Sequence, residues 1–153
     1  MDIEDTLAEL AATVETERRT LVETSRAIWN HPEIALAEYD SSRALVDLLR
    51  KYGFTVEYPY AGMETAFRAE FTNKAPGATF ALAAEYDALA GLGHGCGHNL
   101  SGVASVAAAC AAKKSLSPIV FLPSATVSVP SVLPSVSTTV MVWSKPVAPS
   151  ASL

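Results

Sequence analysis

One stretch of the chain, residues 83–102, holds most of the side chains that could perform chemistry. Within these 20 residues and their five glycines lie two acids and three ligand-type side chains at alternate positions, namely Glu85, Asp87, His94, Cys96 and His98. A thiolate and an imidazole suit zinc or a similar first-row metal. Because glycines flank Cys96, the backbone can turn tightly enough for Cys96 and His98 to face one ion. The pattern predicts a divalent-metal site, with zinc the expected ion and manganese the alternative.

Asp87 is expected to orient a ligand, because a carboxylate that accepts a hydrogen bond from a ligating imidazole fixes the tautomer of that ring. Two other interpretations of the stretch stay open. In one, Cys96 is a nucleophile activated by His94 or His98. Side chains two positions apart in a tight turn seldom reach that geometry, so shared coordination is favoured. In the other, the stretch is a glycine-rich turn with a buried cysteine and two solvated histidines.

The remaining histidine and cysteine are predicted to be structural. His31 stands alone just before Pro32, where a helix is expected to break, and it is interpreted as a polar turn residue. Cys110 lies in a run of alanines and serines and is interpreted as core. Two cysteines in such different settings do not indicate a disulfide framework.

The elements that must position these residues follow from hydrophobic periodicity and turn signals. Helices are predicted over residues 4–28, 38–52 and 99–114, and strands over residues 54–58, 65–71, 79–84 and 119–122, with a turn at 73–77. Residues 79–84 lack alternation, as expected of a strand covered on both faces. The ligand-type residues therefore follow the carboxyl end of a buried strand, where open α/β sheets place their sites.

The two N-terminal helices carry more detailed predictions. Helix 4–28 is expected to be amphipathic and docked on a sheet, although Arg18 interrupts its apolar stripe. Helix 38–52 is expected to begin near Ser41 or Ser42 and to end at Gly53. Its buried face is predicted to consist of three leucines, Leu45, Leu48 and Leu49.

Composition restricts the class of protein. The net charge of −5 argues against nucleic acid as a partner. The apolar run over residues 103–112 is too short to span a bilayer, and the acidic start lacks the order of a secretory signal. These observations predict a soluble, cytoplasmic protein with no membrane partner.

The charge is unevenly distributed along the chain. All 16 acids lie in residues 1–87, and residues 88–153 contain three lysines and no acid. From residue 115 onward the sequence is rich in serine, valine and proline, and the prolines interrupt every β-prone run. We therefore divide the chain into residues 1–114, one part of a domain, and residues 115–153, an aberrant tail not expected to pack natively.

The stretch AEYDALAGLGHGCGHN resembles the signature of the aminoacylase and carboxypeptidase superfamily of metallopeptidases, peptidase family twenty. The closest resemblance is to the amidohydrolase branch, which includes aminobenzoyl-glutamate hydrolases and a dipeptidase relative of aminoacylase. The HPEI at residues 31–34, Glu38, the Gly53-Phe54 helix stop and the TAF at residues 65–67 agree in order, so that the resemblance covers about residues 20–114. It implies an α/β fold: part of a three-layer αβα catalytic domain, with the lid or dimerisation domain absent.

The resemblance also implies residue roles. Cys96 and His98 match the metal ligands of that branch, and Asp87 matches the acid that steadies the site. Glu85 stands where other branches have a ligand histidine, which leaves its role open. His94 matches a histidine beside the ligands and is not expected to be one. The implied substrates are dipeptides or N-acyl-amino acids, and full-length relatives are expected to be homo-oligomers.

The chain departs from the family pattern after the signature. The family uses a paired-glutamate motif for its general base and later histidines for a second metal, whereas this sequence has no acid after Asp87 and no histidine after His98. The expectation is a truncated hydrolase with weak or no activity of its own. The alternative is a non-catalytic metal-binding or regulatory protein that retains half of the site. A purely structural α/β domain is disfavoured by the intact signature.

Overall fold

The computed structural model describes residues 2–72, 80–116 and 137–142. The predicted turn at 73–77 and the predicted strand at 119–122 lie outside these residues. The described elements are, in chain order, α1 (Ile3–Thr16), α2 (Arg18–Asn30), α3 (Tyr39–Lys51), β1 (Thr55–Glu57), β2 (Arg68–Thr72), β3 (Phe80–Ala84), α4 (His98–Leu116) and β4 (Ser137–Val142).

The N-terminal segment forms two helices, so the prediction of one continuous helix over residues 4–28 is wrong. The break falls at Glu17, next to the arginine that interrupts the apolar stripe. Docking on the sheet is also wrong for α1, which packs against α4 instead. Its apolar residues Ile3 and Leu7 are 74% and 61% exposed. An apolar stripe therefore predicted the helix but not its burial.

Helix α3 follows its prediction except at its first turn. Its three predicted leucines are buried, and the chain leaves the helix through Gly53 at φ +74°. The cap was predicted to be a serine, but the N-cap residue is Glu38, which makes no capping hydrogen bond through its side chain. Instead, the Glu33 carboxylate accepts hydrogen bonds from the backbone N–H of Asp40 at 2.9 Å and of Ser41 at 2.8 Å. The helix start is thus capped by a carboxylate from the preceding turn.

The four described strands form one mixed sheet in the order β1-β2-β4-β3. β1 and β2 are antiparallel, β2 and β4 are antiparallel, and β3 runs parallel to β4. The central strand β4 comes from the tail segment, and its Val140 pairs with Ala69 of β2 and Leu82 of β3. The division of the chain at residue 114 stays a prediction.

Strand β3 is more exposed than predicted. A strand covered on both faces was expected here, but only Ala84 is buried, and Phe80 is 51% exposed. The reason is its place at one edge of the described sheet, with α4 packed against it. The absence of alternation along residues 79–84 therefore did not indicate burial on both faces.

The core lies between the helices and the sheet. Its fully buried members include Leu45, Leu49, Phe67 and Val106, and Cys110 belongs to the same cluster, as predicted. The helices α3 and α4 both contact strands and each other, which confirms the α/β class. Among the described residues α3 and α4 contact the sheet, and α1 and α2 pack against α4. None of the described helices is long and apolar enough to cross a membrane.

Candidate metal centre

After β3 the side chains of Glu85 and Asp87 lie on one side of the chain, and the side chain of Tyr86 lies on the other. Tyr86 is 1% exposed and its hydroxyl donates a hydrogen bond to the backbone carbonyl of Thr65. Burial raises the pKa of Tyr86, so its hydroxyl stays protonated as the donor. Since neighbouring side chains in extended backbone point to opposite sides, anchoring Tyr86 in the core turns Glu85 and Asp87 toward the start of α4.

His98, the first residue of α4, lies between these two carboxylates. Its Nδ1 is 2.7 Å from Oδ1 of Asp87, and its Nε2 is 3.3 Å from Oε2 of Glu85. The predicted contact between Asp87 and this imidazole is thus present. Because a carboxylate only accepts, Nδ1 donates its proton to Asp87, and Nε2, which faces Glu85, is the ring nitrogen that a metal could take.

Helix α4 can approach these acids because of one glycine. A Cβ on Gly102 would lie 2.5 Å from the backbone oxygen of Glu85, closer than any side chain allows. The hydroxyl of Ser105, one turn further along, donates to the carbonyl of Ala83 at 2.6 Å. The small residues of α4 therefore bring His98 against the end of β3.

Cys96 lies in the turn that precedes α4 and is exposed. The turn is closed by a hydrogen bond from the Gly97 N–H to the His94 carbonyl at 2.9 Å, and Gly97 has φ +77°. In the part of the chain that the structure describes, Cys96 makes no hydrogen bond to His94 or His98. That geometry gives no support to a nucleophilic cysteine paired with a base.

His94 points into the protein. Its ring is buried, its Nε2 donates to the backbone carbonyl of Ile28 at 3.0 Å, and it stacks on Trp29 at a centroid separation of 6.4 Å. Burial lowers the pKa of His94, against the opposing effect of the hydrogen bond to Ile28. A buried cysteine with two solvated histidines, the structural interpretation of this stretch, is therefore wrong, because Cys96 is exposed and His94 is buried.

The 31–34 segment supports the loop from outside. The backbone N–H of Ala88 donates to the Glu33 carbonyl at 2.7 Å, and Ile34 forms a parallel bridge with Ala88. His31 is exposed, with Nδ1 3.2 Å from Oδ2 of Asp40. The segment that resembled the family in sequence therefore holds the start of the site loop.

Sequence reasoning missed a further contact of the loop. Asn99 is buried, and its Nδ2 donates to Oγ of Ser25 at 3.1 Å. Asn99 directly follows His98. The available signal was a polar residue at the start of a helix that was expected to be buried. The serine is 74 positions away, and no local pattern marks it.

The donor set fits a metal only in part. Within the described ranges no three or more His, Cys, Asp or Glu side chains form a group that could hold an ion. The available donors are the exposed thiol of Cys96 and Nε2 of His98, with the Glu85 carboxylate beside that nitrogen. A thiolate and an imidazole are the donors that zinc prefers, but a structural or catalytic zinc site has three or four protein ligands.

Comparisons with known proteins agree on one family, although no family model matches the chain. The chain is 39% identical over 118 residues to a p-aminobenzoyl-glutamate hydrolase of Escherichia coli (strain K12), a match that covers 66% of this chain and 24% of that protein. It is 41% identical over 98 residues to the Xaa-Arg dipeptidase of Homo sapiens, covering 57% of this chain and 22% of the relative. The chain thus spans about a quarter of the length of the curated relatives it matches.

Solved structures show the same fold at low sequence identity. A dinuclear metal-binding peptidase of the M20 family from Bacillus subtilis superposes with a TM-score of 0.64 at 16% identity, covering 82% of this chain and 35% of that one. A putative aminohydrolase from methicillin-resistant Staphylococcus aureus superposes with a TM-score of 0.66 at 19% identity, covering 93% and 37%.

These matches confirm the resemblance that the signature carried. The sequence relatives are amide-bond hydrolases, and the structural neighbours share the α/β arrangement of the described residues. One structural neighbour is described as a peptidase of the M20 family, and the described residues share part of the α/β fold of these neighbours.

Proposed function

We propose that this chain is part of a metal-dependent hydrolase of amide bonds, a dipeptidase or an N-acyl-amino-acid amidohydrolase. Cys96 and His98 are its metal ligands, and Asp87 is the acid that orients His98. The observation that supports this most directly is the position of His98, whose Nδ1 lies 2.7 Å from Asp87 while Nε2 is turned away from that acid. A carboxylate that holds a ligating imidazole from behind produces this arrangement.

Each residue has a defined task in this proposal. Asp87 keeps the proton of His98 on Nδ1 and fixes the plane of the ring. Cys96 supplies an exposed thiol that is accessible to a metal ion in solution. Glu85, 3.3 Å from Nε2 of His98, adds negative charge where a cation would bind. A divalent metal bound here would supply Lewis-acid polarisation of an amide carbonyl and of water.

Zinc is the proposed ion, with manganese the alternative. The argument is the softness of the donors, since thiolate and imidazole favour zinc over the harder ions that oxygen ligands select. A divalent metal in general is supported by the Bacillus subtilis neighbour, which is described as a dinuclear metal-binding peptidase.

The substrate class follows from the relatives. One is a p-aminobenzoyl-glutamate hydrolase and another an Xaa-Arg dipeptidase, and a dipeptide or N-acyl-amino acid contains the amide bond that both names imply. For this chain alone we propose weak or no hydrolysis, because its sequence has no acid beyond Asp87 to act as general base. We further propose a cytoplasmic location, homo-oligomeric full-length relatives, and no nucleic-acid or membrane partner.

A second function is a non-catalytic metal-binding or regulatory protein that keeps half of the site. The observation that favours it is the number of donors, since the described residues contain no group of three or more metal-ligating side chains. In this case zinc is bound by Cys96 and His98 alone, or shared between two copies of the chain.

Zinc titration of the purified chain separates metal binding from its absence. We expect about one zinc per chain for the wild type and loss of binding in Cys96→Ser and His98→Ala. Cys110→Ala and His31→Ala are matched controls, because these residues have the same side chains but contact neither Cys96 nor His98 among the described residues: Cys110 lies in the core, and the His31 ring faces Asp40. Equal binding by all five proteins would contradict the assignment of ligands.

A hydrolysis assay then tests whether this chain alone is active. The substrates are a dipeptide and an N-acyl-amino acid, tested with zinc, with manganese and with a chelator. Turnover that the chelator abolishes, even if it is weak, supports the hydrolase over the half-site protein. Stoichiometric zinc binding without turnover is expected of both functions, and rapid turnover would contradict our expectation of a weak or inactive chain.

A further inference from the structure

We propose that α2 positions residues 94–99, which we call the metal loop. His94 and Asn99, which flank Cys96 and His98, clamp this loop to Ile28 and Ser25 before any metal binds. The proposal rests on the proposed metal site and adds to it the residues that hold its ligands in place. The four residues His94, Asn99, Ile28 and Ser25 are called the clamp below.

The clamp joins two side chains of the loop to one face of one helix. Nε2 of His94 donates to the Ile28 carbonyl at 3.0 Å, and Nδ2 of Asn99 donates to the Ser25 hydroxyl at 3.1 Å. Ser25 and Ile28 are three positions apart in α2, so they lie on the same side of that helix. All four residues are buried.

The clamp brackets the ligands in sequence. His94 precedes Cys96 by two positions and Asn99 follows His98 directly, so both ends of the ligand turn are fixed. Between them the chain is flexible by composition, since Gly95 and Gly97 flank Cys96. Without anchors such a turn would lose much conformational entropy when it closes on an ion. Fixing its ends in advance reduces that cost.

The clamp also has a cost that suggests a role beyond packing. Nδ1 of His94 and Oδ1 of Asn99 are buried without a hydrogen-bond partner in the described part of the chain. Burying an unpaired polar atom is unfavourable, and apolar side chains would fill the same space without this penalty. Both residues nevertheless direct a donor at α2, which fixes the orientation of the side chain as well as its position.

The decisive variant is Ser25→Ala, because it changes α2 and leaves every loop residue intact. Its matched control is Thr24→Ala, which removes a neighbouring hydroxyl that bonds only within the helix, to the Thr20 carbonyl at 2.9 Å. We expect Ser25→Ala to weaken zinc affinity about tenfold and Thr24→Ala to leave it unchanged, the size expected for one buried hydrogen bond.

A second pair of variants tests His94. Leucine at this position removes the hydrogen-bond donor, whereas glutamine can place its amide nitrogen near the position that Nε2 of His94 occupies. His94→Leu is expected to weaken zinc affinity at least tenfold, and His94→Gln is expected to restore most of it. A purely structural role is tested with Val46→Ala, which creates a cavity at a buried core position of α3 and leaves the clamp residues intact; it should lower stability without changing zinc affinity.

A measurement on the metal-free chain distinguishes failure of the clamp from failure of the metal site. Hydrogen exchange of the Gly97 amide, which bonds the His94 carbonyl, should be about tenfold faster in Ser25→Ala than in Thr24→Ala. Equal exchange in the two would overturn the clamp even if zinc still binds. If the wild type binds no zinc but exchange differs, the clamp stands and the proposed function fails. If His94→Leu does not fold, the comparison of Ser25→Ala with Thr24→Ala alone tests the clamp.

Discussion

Helix α4 has two ends with opposite chemistry. Its N-terminal end carries His98 between two carboxylates, next to the exposed thiol of Cys96. Its C-terminal end carries the buried thiol of Cys110 and lines a cleft of about 430 Å³ together with α1 and the end of α3. This cleft thus lies at the end of α4 where the acids and histidines of the described residues do not converge.

The contacts at the C-terminal end explain its different character. Lys113 donates to the backbone carbonyls of Tyr52 and Gly53 at 2.5 and 2.6 Å, where α3 ends, and its ammonium lies 4.6 Å from the centre of the Phe71 ring. The Tyr52 hydroxyl donates to Glu17. The polar groups here hold helix ends together, whereas those at the N-terminal end converge on one imidazole.

The two thiols give the largest expected contrast. Burial raises the pKa of Cys110 to about 12, from an ordinary 9.0, which lowers its thiolate fraction near pH 8 about a thousandfold. Because the thiolate is the reactive form, an alkylating reagent should label Cys96 and spare Cys110 in the folded chain. Mass spectrometry of digested, labelled protein at pH 8 measures this. Equal labelling of both cysteines would show that the two ends are not different in the way described.

The close approach at the N-terminal half of α4 gives the next effect. Gly102→Ala places a methyl group against the Glu85 carbonyl, so α4 must move away from β3. We expect a loss of about 3 kcal/mol in the free energy of unfolding, measured with urea. Gly95→Ala is the control, since its nearest neighbour, the Leu92 carbonyl, would be 3.9 Å away. Comparable stability of the two variants would exclude this packing.

The acid beside His98 should matter for metal and little for folding. Asp87→Ala removes the acceptor that fixes the His98 ring, and we expect zinc affinity to fall about 10- to 100-fold. Asp47→Ala, which removes an exposed acid on α3, is the matched control. Calorimetric titration of both variants measures the difference. An unchanged zinc affinity in Asp87→Ala would show that Asp87 does not orient His98 for metal binding.

The smallest effect concerns pH. Burial lowers the pKa of His94 below its ordinary 6.5, so the unfolded chain takes up this proton at a higher pH than the folded one. The stability from the neutral ring is present above about pH 6.5 and is lost as the pH falls toward the lowered pKa. Urea unfolding of the wild type and His94→Gln between pH 5 and 8 should show a steeper acid loss for the wild type. Parallel profiles would contradict this.

The parts of the site that sequence could predict are those set by side-chain chemistry and short spacing. The contact of Asp87 with His98 followed from an acid at the end of a strand and an imidazole at the start of the next helix, and it is present at 2.7 Å. The core position of Cys110 followed in the same way from its apolar run. The metal-binding roles of Cys96 and His98 stay predictions.

The parts that sequence missed depend on contacts between distant segments. Ser25 meets Asn99 across 74 positions, so no local window contains both partners. Glu33 lies close in sequence to the residues it caps, but it lies outside the helix, where no cap residue was sought. The exposure of Phe80 depends on the order of strands in the sheet, which periodicity does not encode. The break at Glu17 is local in sequence. An interrupted apolar stripe indicates that a helix could end nearby, but it does not give the residue at which it ends.

The stacking of Trp29 on His94 has a practical consequence. Indole emission depends on the groups in contact with the ring, and here the contact is a side chain of the metal loop, 6.4 Å away between ring centres. The chain therefore carries a native fluorophore whose signal reports loop position. The second tryptophan, Trp143, lies outside the described residues, and replacing it with phenylalanine would leave Trp29 as the single source of tryptophan emission. The loop opening, clamp loss and metal uptake that we propose would then be optical events that stopped-flow mixing can follow in real time.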